Sequence, residues 1–155
     1  MTATERPELV AGVKWPEIQM PGDIFLHDED QPWVDMEGFP GSQVKVLYAD
    51  QESNTVAFLY KLQPHSSFAI HEHICRAFAY TLEGEWWYGD TYQKKGSMAI
   101  EVPGSTHFPV TKETGFTVLA ILAGEPGGTV LLRSQDPETL EVAELGAEFF
   151  ASLMK

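Results

Sequence analysis

Glycine and proline fall between short apolar runs along most of this chain, and that spacing restricts the fold more than any other feature. The runs are strand-sized: Val44–Tyr48, Thr55–Leu62, Phe68–His73, Phe78–Leu82, Glu85–Tyr88, Met98–Val102, His107–Val110, Phe116–Leu122 and Thr129–Arg133. Turn-formers separate them, among them Pro64, Pro103-Gly104 and Pro126-Gly127-Gly128. Glu83-Gly84 reads as the two-residue turn of a hairpin, and Gly89–Gly96 as a loop. Pro103-Gly104 suits a type II turn. Many short strands in 155 residues predict one all-β domain, a sandwich or a closed barrel.

The two ends read differently. Residues 1–42 carry five prolines and are expected to be irregular, with short strands near Ile24–His27 and Trp33–Val34. This segment also holds Trp15, Phe25, Trp33 and Phe39, too much apolar area for a solvated tail. It is expected to be an arm that packs on a barrel spanning 43–146 or on a neighbouring subunit. After Thr129–Arg133, Asp136-Pro137-Glu138 predicts a hairpin into Leu140–Ala143. A short helix over 147–155 then presents Phe150 and Leu153 to the body. The arm and the free sheet edges of a small barrel favour a homodimer or homotetramer.

The net charge of −13 disfavours nucleic acid and anionic membranes as partners, since both need clustered lysine and arginine. The N-terminus lacks the pattern of a secretory signal, and the single Cys75 cannot form an internal disulfide. A cytoplasmic protein is expected. The charge is uneven. Residues 1–54 hold 11 acids and 3 bases, 113–155 hold 7 and 2, and 55–112 hold 5 of each. That neutral middle contains His65, His71, His73 and His107, four of the five histidines.

His71 and His73 are two apart, so on a strand both imidazoles share one face and Glu72 takes the other. On the inner wall of a barrel such a pair grips a metal at two points. His107 follows the turn at Pro103-Gly104, which aims it back over the sheet. Cys75 continues the alternation, although a small buried residue is the more economical reading of it. His65 follows a turn proline and is expected to be exposed, and His27 belongs to a solvated acidic loop.

Pro64–Val110 resembles the two motif blocks of the cupin superfamily. His71-Glu72-His73 is followed, at the family spacing, by Gly84 in Thr81-Leu82-Glu83-Gly84-Glu85. Gly96 opens the second block, and Gly104-Ser105-Thr106-His107 closes it. The family's glutamate ligand falls on Ala77, its opening glycine on His65, its proline on Val102 and its late asparagine on Thr111. Without that glutamate, the chain resembles a three-histidine branch that includes diketone- and hydroxyketone-cleaving dioxygenases and the cupin domains of some anti-sigma factors. The resemblance implies a jelly-roll β-barrel with His71, His73 and His107 as metal ligands.

Three neutral ligands leave a divalent cation its full +2 charge, which favours an anionic chelating substrate such as an enolate. Fe(II) with dioxygen is the favoured pairing, and zinc or nickel suit the same donors. A small-molecule substrate is expected. Glu101, six residues before His107, is the candidate catalytic carboxylate. Phe68, Arg76, Phe78, Trp86 and Tyr88 are the candidate substrate-pocket residues. The other readings are a non-catalytic metal-binding sensory cupin and a zinc- or nickel-dependent isomerase or hydrolase.

Overall fold

The structure is a computed structural model and describes Gly12 and residues 18–155, so the expectations for Pro7, Trp15 and Pro16 lie outside the described residues. The chain runs from a single 3-10 turn (Asp28–Asp30) through β1 (Val34–Asp35), β2 (Ser42–Asp50), β3 (Thr55–Leu62), β4 (His71–His73) and β5 (Arg76–Tyr88). It continues with β6 (Thr91–Lys94), β7 (Met98–Glu101), β8 (Thr106–His107), β9 (Phe116–Ala123), β10 (Leu132–Gln135), β11 (Val142–Leu145) and α1 (Ala147–Ser152). All the strand pairs are antiparallel. Seven strands form one sheet in the order β1-β2-β3-β9-β5-β6, with β7 also paired to β5, and the other four run β11-β10-β4-β8. The fold is the expected all-β jelly roll with a short C-terminal helix.

The core lies between the two sheets because the side chains alternate. Val56, Phe58, Tyr60 and Leu62 of β3, and Phe116, Val118, Ala120 and Leu122 of β9, form one wall. Leu132 and Leu145 of the smaller sheet join the same cluster. The six residues of α1 are too few to hold a helix unaided. Phe150 is buried and stacks on Phe58 with ring centres 4.8 Å apart, so packing supplies what length does not.

The largest departure from the sequence reading is β5. Glu83-Gly84 is not a hairpin turn. The strand runs through it for 13 residues, and its register with β9 shifts between Thr81 and Glu83. This β-bulge changes which parity faces inward. Ala77, Ala79 and Thr81 are buried before it, and Trp86 is buried after it. The hairpin comes later, at Gly89-Asp90, where β5 turns into β6, a strand inside the expected loop 89–96. Gly89 has φ of 55°, as a hairpin turn with glycine first requires.

Other strands shift at their ends. Ile24–His27 forms no strand, and β1 begins one residue after Trp33. The run at 68–73 is regular only over His71–His73. The run at 107–110 narrows to Thr106–His107, and the last hairpin pairs Leu132–Gln135 with Val142–Leu145. Pro32 stands just before the run at 33–34, and Pro109 falls inside the run at 107–110, where a residue without an amide hydrogen interrupts the ladder.

Gly84 holds the bulge. Its φ is 78°, and a Cβ there would sit 1.9 Å from the Gly115 carbonyl oxygen. Gly84→Ala is expected to lose about 2–4 kcal/mol of unfolding free energy, from left-handed strain together with a backbone clash. Urea titration checks this, and a loss below about 0.5 kcal/mol would show that the bulge relaxes freely.

Candidate metal centre

β4 is three residues long and sits between β10 and β8. His71 pairs with Ser134 on one side and His107 on the other, and Leu132 pairs with His73. The turn that delivers His107 is the expected one. Gly104 has φ of 92°, and the Ser105 amide donates to the Val102 carbonyl at 3.1 Å. The turn is also tied to β4. The Gly104 amide donates to the His73 carbonyl at 2.7 Å, and the His73 amide donates to Ser105 at 2.8 Å. These bonds fix the backbone of β4 against the turn that carries His107.

One ring nitrogen from each of His71, His73 and His107 lies within 4.8 Å of the others. Nδ1 of His71 lies 3.0 Å from the Ala69 carbonyl, which can only accept, so Nδ1 carries the proton and Nε2 is free as a lone pair. Nε2 of His73 and Nε2 of His107 face each other at 3.0 Å. The Glu101 carboxylate closes the group, 3.2 Å from His73 and 3.4 Å from His107. Nδ1 of His73 has no hydrogen-bond partner among the described residues.

Burial lowers all three imidazole pKa values, His73 to about 3 and His107 to about 4; repulsion from the neighbouring rings adds to the effect at His73 and His107, and the Ala69 carbonyl opposes it at His71. Burial raises that of Glu101, against the hydrogen bond from Tyr88. Neutral imidazoles and a carboxylate aimed at one point are acceptors short of a donor, and that chemistry fits a divalent cation. His71, His73 and His107 could hold one, with Glu101 beside them.

Glu101 and His107 share a support. The Tyr88 hydroxyl donates to Glu101 Oε1 at 2.6 Å, and the Tyr88 ring stacks on His107 with centres 3.8 Å apart. Desolvation and the neighbouring carboxylate keep that phenol protonated. Beside the imidazoles lies a mostly apolar cavity of about 90 Å³. Phe68, Trp86, Tyr88 and Glu101 line it. Phe68 meets His71 edge-on, and the Trp86 indole N–H donates to Thr81 at 3.0 Å. Phe78 borders the cavity too, but its cross-strand partners Ile100 and Ile121 are both exposed on the outer face.

Arg76 is a correction. It stands exposed at the start of β5, of opposite parity to the inward Ala77, and takes no part in the cavity. Cys75 is buried against the Leu131 carbonyl, with its thiol pKa pushed up to about 11, and it stays outside the histidine group. His65 and His27 are exposed. Sequence reasoning missed Tyr60, Phe116, Leu132 and Phe150 of the cavity wall. Strand alternation carried that signal for the first two, but only the meeting of distant strands could reveal the others.

The buried imidazoles make the metal-free protein acid-sensitive. The unfolded chain binds protons at these groups near pH 6.5, whereas the fold resists until about 4 or 3. Between those limits the unfolded state holds more protons, so stability falls as pH falls. Glu101, with its raised pKa, opposes this slope, but it is one group against three. The Tm of chelator-treated protein is expected to drop steadily from about pH 6.5 to pH 4, and less steeply in His73→Asn. A Tm that stays level across that range would contradict desolvated imidazoles.

The comparisons with known proteins agree with the geometry. Residues 21–124 match the ChrR cupin-like domain. No curated protein sequence matches the chain. Among solved structures, an RmlC-like cupin from Ralstonia eutropha is similar at a TM-score of 0.73 and 21% identity, over 84% of this chain and 83% of that one. An acetylacetone dioxygenase from Acinetobacter johnsonii is similar at 0.67 and 15%, over 91% and 99%. The Rhodobacter sphaeroides structure of SigE with the anti-sigma ChrR is similar at 0.52 and 21%, over 60% and 49%. With two-thirds of its length matched, and the three-histidine group on the expected strands, the chain belongs to the ChrR cupin-like domain family.

Proposed function

We propose that this chain is a metal-dependent cupin enzyme, an Fe(II) dioxygenase that cleaves a carbon–carbon bond of a small diketone or hydroxyketone bound as a chelating enolate. The observation that carries this reading is the placement of three neutral imidazoles and one buried carboxylate at the wall of a small apolar cavity. His71, His73 and His107 are the ligands. When bound, Fe(II) supplies Lewis acidity toward the two chelating oxygens and the redox activity that dioxygen needs.

The remaining roles belong to the chain. Glu101 accepts the acidic C–H proton of the diketone, and its desolvated carboxylate is a stronger base than one in water. Tyr88 holds that carboxylate by its hydroxyl and holds His107 by stacking. Phe58, Phe68, Trp86 and Phe116 keep water from the enolate once it forms. The Ala69 carbonyl holds His71 in the tautomer that presents Nε2.

The family match favours a second reading, a metal-binding domain that senses without turnover. The two separate in one experiment. Protein purified anaerobically is assayed for iron, zinc and nickel, then supplied with a simple β-diketone while dioxygen is followed. Iron-dependent uptake is expected. Stoichiometric zinc, with no uptake after iron reconstitution, would sink the oxygenase reading. In the same assay Glu101→Gln is expected to keep its metal and lose roughly 10²–10⁴ in rate. Loss of the metal itself would make Glu101 a ligand instead of a base.

A further inference from the structure

One polar group in the cavity wall takes no part in the metal centre. Tyr60 of β3 lines the cavity, and its hydroxyl lies 2.5 Å from Oγ of Ser42, at the start of β2. Val44 pairs with Tyr60 and Ser42 pairs with Leu62, so Ser42 and Tyr60 are diagonal neighbours on the inner face of the sheet. Both are buried. The Tyr60 ring is wedged in place. Phe68 meets it edge-on with ring centres 5.6 Å apart, and Phe116 packs on it at 5.8 Å. Phe68 also joins it to the metal end of the cavity, since its ring centre is 5.4 Å from that of His71.

The protons of this pair do not balance. Two hydroxyls bring two hydrogens, and the bond between them uses one. Among the described residues neither hydroxyl has another partner. Burial raises the Tyr60 pKa, so the phenol stays protonated and remains a donor. A buried donor without an acceptor is costly. Tyr60 borders the cavity and Ser42 does not, so the spare hydrogen reaches a ligand when Ser42 donates to Tyr60 and Tyr60 donates inward. The neighbouring donors are already engaged, Tyr88 with Glu101 and the Trp86 indole with Thr81. No lysine or arginine lines the cavity, so an anionic tail would enter without a countercharge.

We propose that the Tyr60 hydroxyl, held by Ser42, donates to a neutral oxygen on the tail of the substrate. The diketone or hydroxyketone that this site takes then carries a carbonyl, ether or hydroxyl oxygen beyond its chelating pair. This rests on the chelating-enolate reading of the metal centre and narrows it. The chelating oxygens belong to the imidazole end, and the aromatic wall accepts the carbon between. The third oxygen answers the one donor left over. A site with a dry donor favours the ligand that supplies an acceptor and discriminates against the one that presents a methylene there.

The test measures binding without turnover. The full chain, carrying its own metal and kept under argon, is titrated calorimetrically with two pairs of isosteric acetyl β-diketones. One pair ends in a propyl or a methoxymethyl group, the other in a butyl or a methoxyethyl group. In at least one pair the ether is expected to bind about tenfold more tightly than its alkyl isostere. Tyr60→Phe is expected to bring that ratio close to one. Ser42→Ala removes the partner but leaves the phenol hydrogen free, and it is expected to keep the preference. Equal binding within both pairs would overturn the proposal and leave the diketone reading standing. A preference that survives Tyr60→Phe, or that Ser42→Ala abolishes as fully, would also overturn it. If no diketone binds, the chelating-enolate reading fails and the proposal fails with it.

Discussion

Everything near the site depends on one electrostatic condition. Three uncharged imidazoles and a carboxylate converge where burial has removed the water that would otherwise satisfy them. Two Nε2 atoms at 3.0 Å can share a single proton at most, and the carboxylate beside them is a further acceptor. A desolvated acceptor cluster of this kind is costly unless a cation completes it. Its persistence requires that the backbone hold the side chains together against that cost.

The backbone does so with very little regular structure. β4 and β8 contribute only five residues, yet each is tied at both edges or through the turn at Pro103-Gly104. The long β5 supplies the opposite wall. Its bulge lets alanines line the region beside Glu101, then brings Trp86 and Tyr88 inward further along. A regular strand would have kept one parity throughout, and Tyr88 could not have reached both Glu101 and His107.

These facts explain what was legible in the sequence. His71, His73 and His107 stood out as candidates because strand parity and a Pro-Gly turn are local signals that the cupin resemblance joins, and Glu101 was singled out by its spacing to His107 together with that resemblance. The strand spacing likewise announced an all-β barrel. Glu83-Gly84 misled because a glycine with positive φ serves a hairpin turn and a bulge equally well. Only the approach of Gly115, the residue just before the distant β9, decides between them. Arg76 misled for a similar reason. Its nearness in sequence to the histidines says nothing about facing, and the parity of β5 turns it to the outside.

The departure at Ala77 can now be interpreted in space. The cupin resemblance puts a glutamate ligand at this position, and the chain has a methyl group there instead. Ala77 pairs directly across the sheet with Glu101. The carboxylate of this chain stands one strand over, on β7, within 3.2 to 3.4 Å of two of the imidazoles. The change is not neutral. On β7 the carboxylate is held by the Tyr88 hydroxyl, so one oxygen already has a strong donor. Such a carboxylate is a weaker competitor for a cation and a better-positioned group for moving a proton. The alanine also leaves space where the ligand would have stood, and that space is part of the cavity. Ala77 and its cross-strand partner thus join three features of the site: a three-histidine group without a glutamate at position 77, a cavity beside it, and a carboxylate held at that cavity's wall.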